Sequence, residues 1–217
     1  QGFAASFREA VTLVDEAVPA PGPGEIRVRH QWCGVNGVFD TQIARNAVDY
    51  VTVRLPTGTG VEALGVVDAV GAGVTAFREG DAAISLRFGR GYRTAQVAAA
   101  GDFVQMPSLN RDWLALASTG VSAWLALHHV GELREGETVA ISAAAGGLGH
   151  FLVQLAKCRG ARVFAVCGGP DKAAFVKSLG ADRAIDHRTD DIAAVLAAGC
   201  PRGLDVAVDT VSGAVFD

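Results

Sequence analysis

From residue 138 onward the spacing of apolar positions alternates between two periods. Val139-Ala140-Ile141-Ser142-Ala143 is an almost unbroken apolar run, as expected of a strand covered on both faces. Glycines at 146, 147 and 149 follow, and apolar residues then recur at Leu148, Phe151, Leu152, Leu155 and Ala156, one face of a helix that Gly160 closes. The cycle repeats. Arg162 to Cys167 reads as a strand and Asp171 to Leu179 as a helix closed by Gly180. Ala184 to Asp186 is a short strand, Asp190 or Asp191 caps a helix bearing Ile192, Val195 and Leu196, and Leu204 to Val208 is a fourth strand. Strand and helix in alternation predict a doubly wound parallel sheet, expected to be incomplete, since four strands stand where the usual order holds about six.

The first part has a different texture. Phe7 to Val14 is predicted as a strand, broken by Pro19, Pro21 and Pro23, and Glu25 to Arg29 alternates apolar and charged residues with period two. A short helix is expected over Val38 to Arg45 and a loop over Asn46 to Gly60. Further strands are expected at Gly65 to Val70, Ala82 to Leu86 and Tyr92 to Ala99. Short strands between close turns predict a mainly β, barrel-like unit. From Arg111 the pattern becomes helical, which places the boundary between units 1–112 and 113–217.

The glycine turn carries the first chemical reading. Ala143-x-x-Gly146-x-x-Gly149 is a variant of the dinucleotide fingerprint with alanine in the first position. A turn without side chains admits a diphosphate to the backbone, and the following helix N-terminus offers N–H groups and partial positive charge. Its place on the first strand of the alternating region is where such a fingerprint belongs.

Composition narrows the class. Half of the 217 residues are hydrophobic, enough for a real core, and a net charge of −4 without a basic run argues against nucleic acid as partner. Trp113 to Val130 and Val139 to Ala156 lack Asp, Glu, Lys and Arg, but glycine, serine and histidine interrupt them, so both read as buried segments rather than membrane spans. Cys33, Cys158, Cys167 and Cys200 form no metal or disulfide spacing and are expected as thiols of a cytoplasmic protein. Gln1 in place of Met suggests that the natural start is missing.

Seven stretches together resemble the medium-chain dehydrogenase/reductase superfamily, and within it the zinc-independent quinone oxidoreductases and enoyl or 15-oxoprostaglandin reductases. They are Pro21-Gly22-Pro23-Gly24-Glu25, Gly34-Val35-Asn36, Gly60-Val61-Glu62-Ala63-Leu64-Gly65-Val66-Val67, Glu79-Gly80-Asp81, Ala143 to Lys157, Lys177-Ser178-Leu179-Gly180-Ala181-Asp182 and Asp205-Val206-Ala207-Val208-Asp209. The resemblance implies an α/β protein with a GroES-like β-barrel domain carrying substrate contacts, followed by a Rossmann domain. It implies cofactor contacts at Ser122, Ala144, Gly146, Gly147, Leu148, Gly149, Cys167, Gly168, Gly169, Lys172 and His187. Relatives continue for roughly a further hundred residues, with a possible homodimer formed through that part.

Cofactor choice is expected at the end of the second Rossmann strand, where NAD enzymes carry an acid for the ribose. Here the chain reads Val166-Cys167-Gly168-Gly169-Pro170-Asp171-Lys172. The acid is absent at Cys167 and Gly168. Relatives pair a lysine at the place of Lys172 with a 2′-phosphate, which favours NADPH, while Asp171 reads as a helix cap. His187-Arg188 stands where relatives carry a tyrosine and a basic residue, and His187 reads equally as a contact that makes phosphate binding pH-dependent or as an ordinary loop histidine. Zinc-dependent relatives use a cysteine at the place of Asn36 and a histidine at the place of Val61. Neither side chain here is a zinc ligand, and Cys33, three positions early, is expected to pack inside the domain.

Without a Lewis acid, hydride delivery suits a conjugated acceptor, which spreads the charge into an enolate or hydroquinone. Asn36 is the candidate at the reacting end, as a donor to substrate oxygen or nicotinamide ribose, or alternatively an amide bridging backbone in a turn. The tyrosine of many relatives is replaced by Ile43, beside Gln42, which leaves water or Tyr50 as proton source. Ser122 reads equally as a cofactor neighbour or a serine bonding its own helix, and His150 as solvent-facing. Three readings stay open: reduction of an α,β-unsaturated ketone, reduction of a quinone, and NADPH binding with little catalysis in a structural role.

Overall fold

The computed structural model describes residues 3–49 and 52–212. Helix α1 (Phe7–Ala10) replaces the strand expected over Phe7 to Val14. Arg8, Glu9 and Ala10 favour a helical turn, and Leu13 and Val14 stand in solvent with no strand paired to them among the described residues. After β1 (Glu25–Cys33) come α2 (Gly37–Ala44), β2 (Ala63–Val70), β3 (Ala82–Ser85), β4 (Ala95–Ala99), β5 (Phe103–Met106) and α3 (Asp112–Ala115). Strand β5 was not anticipated, because its four residues carry no alternation beyond Phe103 and Met106. It pairs β3 all the same, with Ser85 opposite Phe103.

The five strands form one antiparallel sheet in the order β4-β1-β2-β3-β5. Register shifts at Arg27/Val28 and His30/Trp32 bend β1, as bulges do. The alternation of β1 puts Ile26 and Val28 inward with Val67, Phe77, Ala83 and Phe103. Arg27 faces the other way and its Nε lies 2.7 Å from Asp68 Oδ1, with Arg29 on the second oxygen of the same carboxylate. Two guanidinium groups outweigh the effect of burial and hold Asp68 below the ordinary carboxylate range.

Packing divides the chain into 1–118 and 119–217. The first unit ends after Ser118 rather than Asp112, because Leu114, with Trp113 and Ala117 beside it, packs on Leu64 and Ile84 of the first sheet. The expected helix is broken by wide π turns at Leu116–Gly120 and Ala126–Val130, which flank α4 (Val121–Leu125).

In the second unit β6 (Thr138–Ile141), α5 (Gly149–Cys158), β7 (Arg162–Cys167), α6 (Pro170–Ser178), β8 (Arg183–Asp186), α7 (Ile192–Gly199) and β9 (Val206–Val208) follow one another. All pairings are parallel, in the order β8-β7-β6-β9. The order reverses at β6, so the connection leaving its C-terminal end is the switch point where such sheets take ligands. Asp191 caps α7 by accepting from the Ala194 N–H at 2.9 Å, which decides between the two expected caps. Leu152, Val153 and Ala156 turn α5 onto Val139, Ile141 and Val163.

The β6–α5 connection is set by a close approach. A Cβ on Gly149 would stand 2.3 Å from Ala143 O and 2.6 Å from Ala144 Cα, whereas one on Gly147 would meet nothing within 4 Å. Gly149→Ala is therefore expected to destabilise the protein by about 1–3 kcal/mol. Gly147→Ala is expected to cost far less, the comparison being made by denaturant unfolding of both variants.

Candidate functional site

The Rossmann-type turn carries five of the eleven predicted cofactor residues and divides them into two kinds. Ala144 and Gly149 are buried supports: the Ala144 N–H donates to Val166 O at 2.9 Å, and Gly149 lets α5 sit on the turn. Gly146 and Gly147 are exposed and Leu148 is half-buried at the N-cap of α5, so these three line the open side of the helix start. Ala143, in the first fingerprint position, has φ 42°, the left-handed region where glycine is the ordinary choice. His150 folds back locally; its N–H donates to Gly146 O, and its Nδ1 lies 2.9 Å from the same carbonyl. It is half-buried against Phe151 rather than plainly solvent-facing.

Beside the turn, Ser142 Oγ donates to Asp209 Oδ1 at 2.6 Å. The Ser142 bond, joined by the N–H groups of Ser212, Val211 and Thr210, holds the Asp209 carboxyl below its ordinary range. This ties the end of β6 to the segment after β9 at the switch point. Sequence reasoning placed Asp209 only in a family stretch, without a role.

The second strand ends as expected. Cys167 is buried as the last residue of β7, and burial, then the charge of Asp186, pushes its thiol up. Gly168 and Gly169 follow. A Cβ on Gly168 would meet His187 Nε2 at 2.7 Å and Arg188 Nε at 3.0 Å, so both side chains lie directly over the bare backbone. Lys172 is exposed as the third residue of α6. Three nitrogen-bearing side chains are therefore associated with one short stretch, two of them over Gly168.

Asp186 supplies a carboxylate near this stretch that the sequence reading did not weigh. Backbone N–H groups of Gly169 and Arg188 donate to it and hold it ionised below the usual range, so it clamps the loop. Asp171 is not a cap: Gly169 holds the N-cap position, Pro170 follows, and Asp171 lies inside the first turn. Ser122 is exposed on α4. His128, in the turn that follows α4, has Nδ1 3.1 Å from Trp124 O and its ring stacked on Trp124.

In the first unit Asn36 occupies the N-cap of α2 yet makes no side-chain capping bond. Asparagine there ordinarily accepts from the helix. Here its Nδ2 donates instead to Glu62 Oε1 at 3.3 Å, so the amide bridges a side chain and not a backbone turn. Glu62 is buried, and its Oε2 has no hydrogen-bond partner among the described residues. Burial raises its pKa, the Asn36 amide and Ser118 hydroxyl oppose that, and the charge of Asp40 adds to it.

Asp40, buried one turn into α2, accepts from the Tyr92 phenol, and its N–H donates to Asn36 O at 2.8 Å. Burial, this bond and the Asp40 charge push the Tyr92 phenol far up, while the Asn36 backbone N–H works the other way. Tyr92 was expected in a strand, but β4 starts three residues later and Tyr92 turns to Asp40 from the loop. Glu62, Asp40 and Tyr92 are the residues the sequence reading missed as a group. A lone acid inside the apolar stretch Val61 to Val67 was the available signal.

Ile43 is buried in the core, Gln42 is exposed, and Tyr50 lies outside the described residues. Cys33 is exposed at the end of β1 rather than packed, because β1 has passed its inward-facing part. Val61 and Asn36 offer no zinc donors. Among the described residues no group of three His, Cys, Asp or Glu is placed to hold a metal ion, and no helix is long and apolar enough to cross a membrane.

An antiparallel β unit followed by a parallel sheet with a glycine turn at its switch point defines a two-domain dinucleotide-binding oxidoreductase fold. The alcohol dehydrogenase GroES-like domain family matches residues 22–178, and the zinc-binding dehydrogenase family matches 147–217. The chain belongs to the medium-chain dehydrogenase/reductase superfamily, in its quinone and enoyl reductase-like branch. It is 37% identical to prostaglandin reductase-3 of Mus musculus over 213 residues, 98% of this chain and 56% of that protein, so it spans little more than half of this relative's length. Among solved structures, a quinone oxidoreductase of Pseudomonas syringae pv. tomato DC3000 superposes with TM-score 0.87 at 30% identity, covering 98% of this chain and 65% of that one. The Escherichia coli quinone oxidoreductase complexed with NADPH superposes with TM-score 0.82 at 27% identity, covering 94% and 63%.

Two outcomes follow from the polar pairs. Tyr92→Phe removes the phenol donor from buried Asp40 and is expected to cost about 1–3 kcal/mol in denaturant unfolding. Asp209, held low in the folded state, contributes stability above its unfolded pKa that is lost as pH falls through the folded value. Asp209→Asn should therefore flatten the acid side of a stability-against-pH curve and leave the alkaline side parallel to the parent.

Proposed function

We propose that the protein is an NADPH-dependent reductase that adds hydride to the conjugated C=C of an α,β-unsaturated ketone without zinc. The observation that carries the cofactor half is the end of β7. No carboxylate side chain follows Cys167 for a ribose 2′-hydroxyl, and His187 and Arg188 lie over Gly168 with Lys172 on the next helix. A 2′-phosphate is the anion that the Lys172 and Arg188 cations suit, by charge-assisted hydrogen bonds and, at Arg188, by a fork, with the His187 imidazole beside them. Asp186, spent on backbone N–H groups, supports the loop. The E. coli relative in its NADPH complex agrees with this reading.

Bound NADPH would supply the hydride. Exposed Gly146 and Gly147, with the start of α5, would hold the diphosphate, and Lys172, His187 and Arg188 the 2′-phosphate. At the reacting end Asn36 would donate its second Nδ2 hydrogen to the substrate oxygen as negative charge develops there. A zinc-assisted step does not fit, since Asn36 and Val61 cannot ligate the ion. Because the conjugated system already delocalises the charge, one well-placed amide donor serves where an isolated ketone would need a metal.

A quinone acceptor is the second reading, favoured by the likeness to two solved quinone oxidoreductases. Loss of NADPH absorbance by the full-length protein, measured with an enone, a quinone and no acceptor, separates the readings. Tight NADPH binding without turnover on either acceptor would instead support a binding role. Lys172→Ala and Arg188→Ala are each expected to raise KM for NADPH about tenfold or more while leaving KM for NADH nearly unchanged. An equal effect on both cofactors would sink the 2′-phosphate assignment.

A further inference from the structure

The amide of Asn36 is held by an unusual seat. The Glu62 side chain lies along the backbone of Gly34: a Cβ there would stand 2.1 Å from Oε1 and 2.6 Å from Cδ. The Gly34 N–H also donates to Glu62 O at 3.1 Å, which locks the two segments together. Gly34 is thus bare because the carboxyl occupies the place of its side chain. From that seat Oε1 receives the Asn36 Nδ2 hydrogen, while Oε2 stays buried and unpartnered among the described residues.

A buried carboxyl is costly unless its oxygens are well paired. An apolar residue would fill the same volume with less penalty, and Asn36 could then cap α2 in the usual way. Neither happens. The α2 N-cap forgoes its bond so that the amide faces an acid.

We propose that Glu62 is the positioning residue of the reacting end, holding the Asn36 amide so that its second N–H is directed to the substrate oxygen. This rests on the role given to Asn36 above. An amide left unheld can present either its oxygen or its nitrogen; the carboxyl as acceptor selects the nitrogen end. The groups facing Glu62 are Asn36 and Asp40 from the start of α2 and Ser118 from the turn after α3, with Tyr92 bonded to Asp40 and Cys33 close to Tyr92. Burial and the Asp40 charge keep the Glu62 proton on to higher pH than an ordinary glutamate. Once ionised, Glu62 places a negative charge behind the amide, which opposes a second one forming on the substrate oxygen. Turnover should therefore fall as pH rises through the Glu62 ionisation.

The test uses full-length protein with NADPH and whichever of the enone or quinone it reduces. Glu62→Leu removes the acceptor and is expected to lower kcat ~100-fold through a misplaced donor, with KM for NADPH unchanged. Glu62→Gln, which keeps an acceptor oxygen, should restore kcat to within a few-fold of the parent and abolish its decline with pH. Gly34→Ala, which evicts the carboxyl, should resemble Glu62→Leu. A parent enzyme that turns over while Glu62→Leu keeps kcat within about twofold overturns the proposal. Lack of turnover on either acceptor by the parent overturns the reductase reading instead. The Asn36 side-chain NH₂ resonances then decide the matter: a titration above the ordinary carboxylate range that vanishes in Glu62→Gln supports the pairing, and its absence in the parent overturns it.

Discussion

The second unit depends on one contact that only a missing side chain permits. Gly149 brings the first turn of α5 against the carbonyl of Ala143 and the backbone of Ala144, so the helix starts immediately beyond the end of β6. From that contact come both packing and chemistry. The face carrying Leu152, Val153 and Ala156 is laid on the sheet, and the helix N-terminus opens at the point where strand order reverses. Ala143 accepts a left-handed backbone in the same turn. A strained residue beside a helix start is tolerable where the surrounding structure determines it, and here Ala144 and Ser142 are bonded to β7 and to the end of β9.

The first unit is organised around a different economy, that of buried charge. On the solvent side of β1, Asp68 is matched by two arginines and lies where water screens all three. Near the start of α2, Asp40 and Glu62 are buried, and their partners are a phenol, an amide and a hydroxyl rather than cations. Neutral donors compensate buried carboxyls less fully than a guanidinium would, which is why the Glu62 proton is held more tightly. An amide, a phenol and two acids together shape that end of the domain.

Cofactor choice shows how a loop can be read from what it lacks. The run Cys167-Gly168-Gly169 offers no acid side chain, and the side chains of His187 and Arg188 take up the space above it. Asp186, opposite Cys167 on the neighbouring strand, is bonded to the loop backbone, and Asp171, the acid nearest in sequence, lies in the first helical turn. Charge near an anion site counts only by where it points, and composition alone does not report that.

Periodicity together with the glycine, proline and cap positions was enough to determine the parallel sheet, the glycine turn and the helices over α5, α6 and α7, because these signals are local in the chain. Tertiary structure decided what depends on contacts distant in the chain. Phe7 to Ala10 is helical for want of a strand partner, and four residues at Phe103 become a strand because β3 is there to pair them. The division after Ser118 follows from Leu114 packing on Leu64. Above all, Gly34, Asn36, Asp40, Glu62 and Tyr92 are spread over some sixty positions. Only the folding of α2, the start of β2 and the loop before β4 onto one another brings two acids, an amide and a phenol together, since hydrogen bonds act over about 3 Å and sequence spacing does not set that distance.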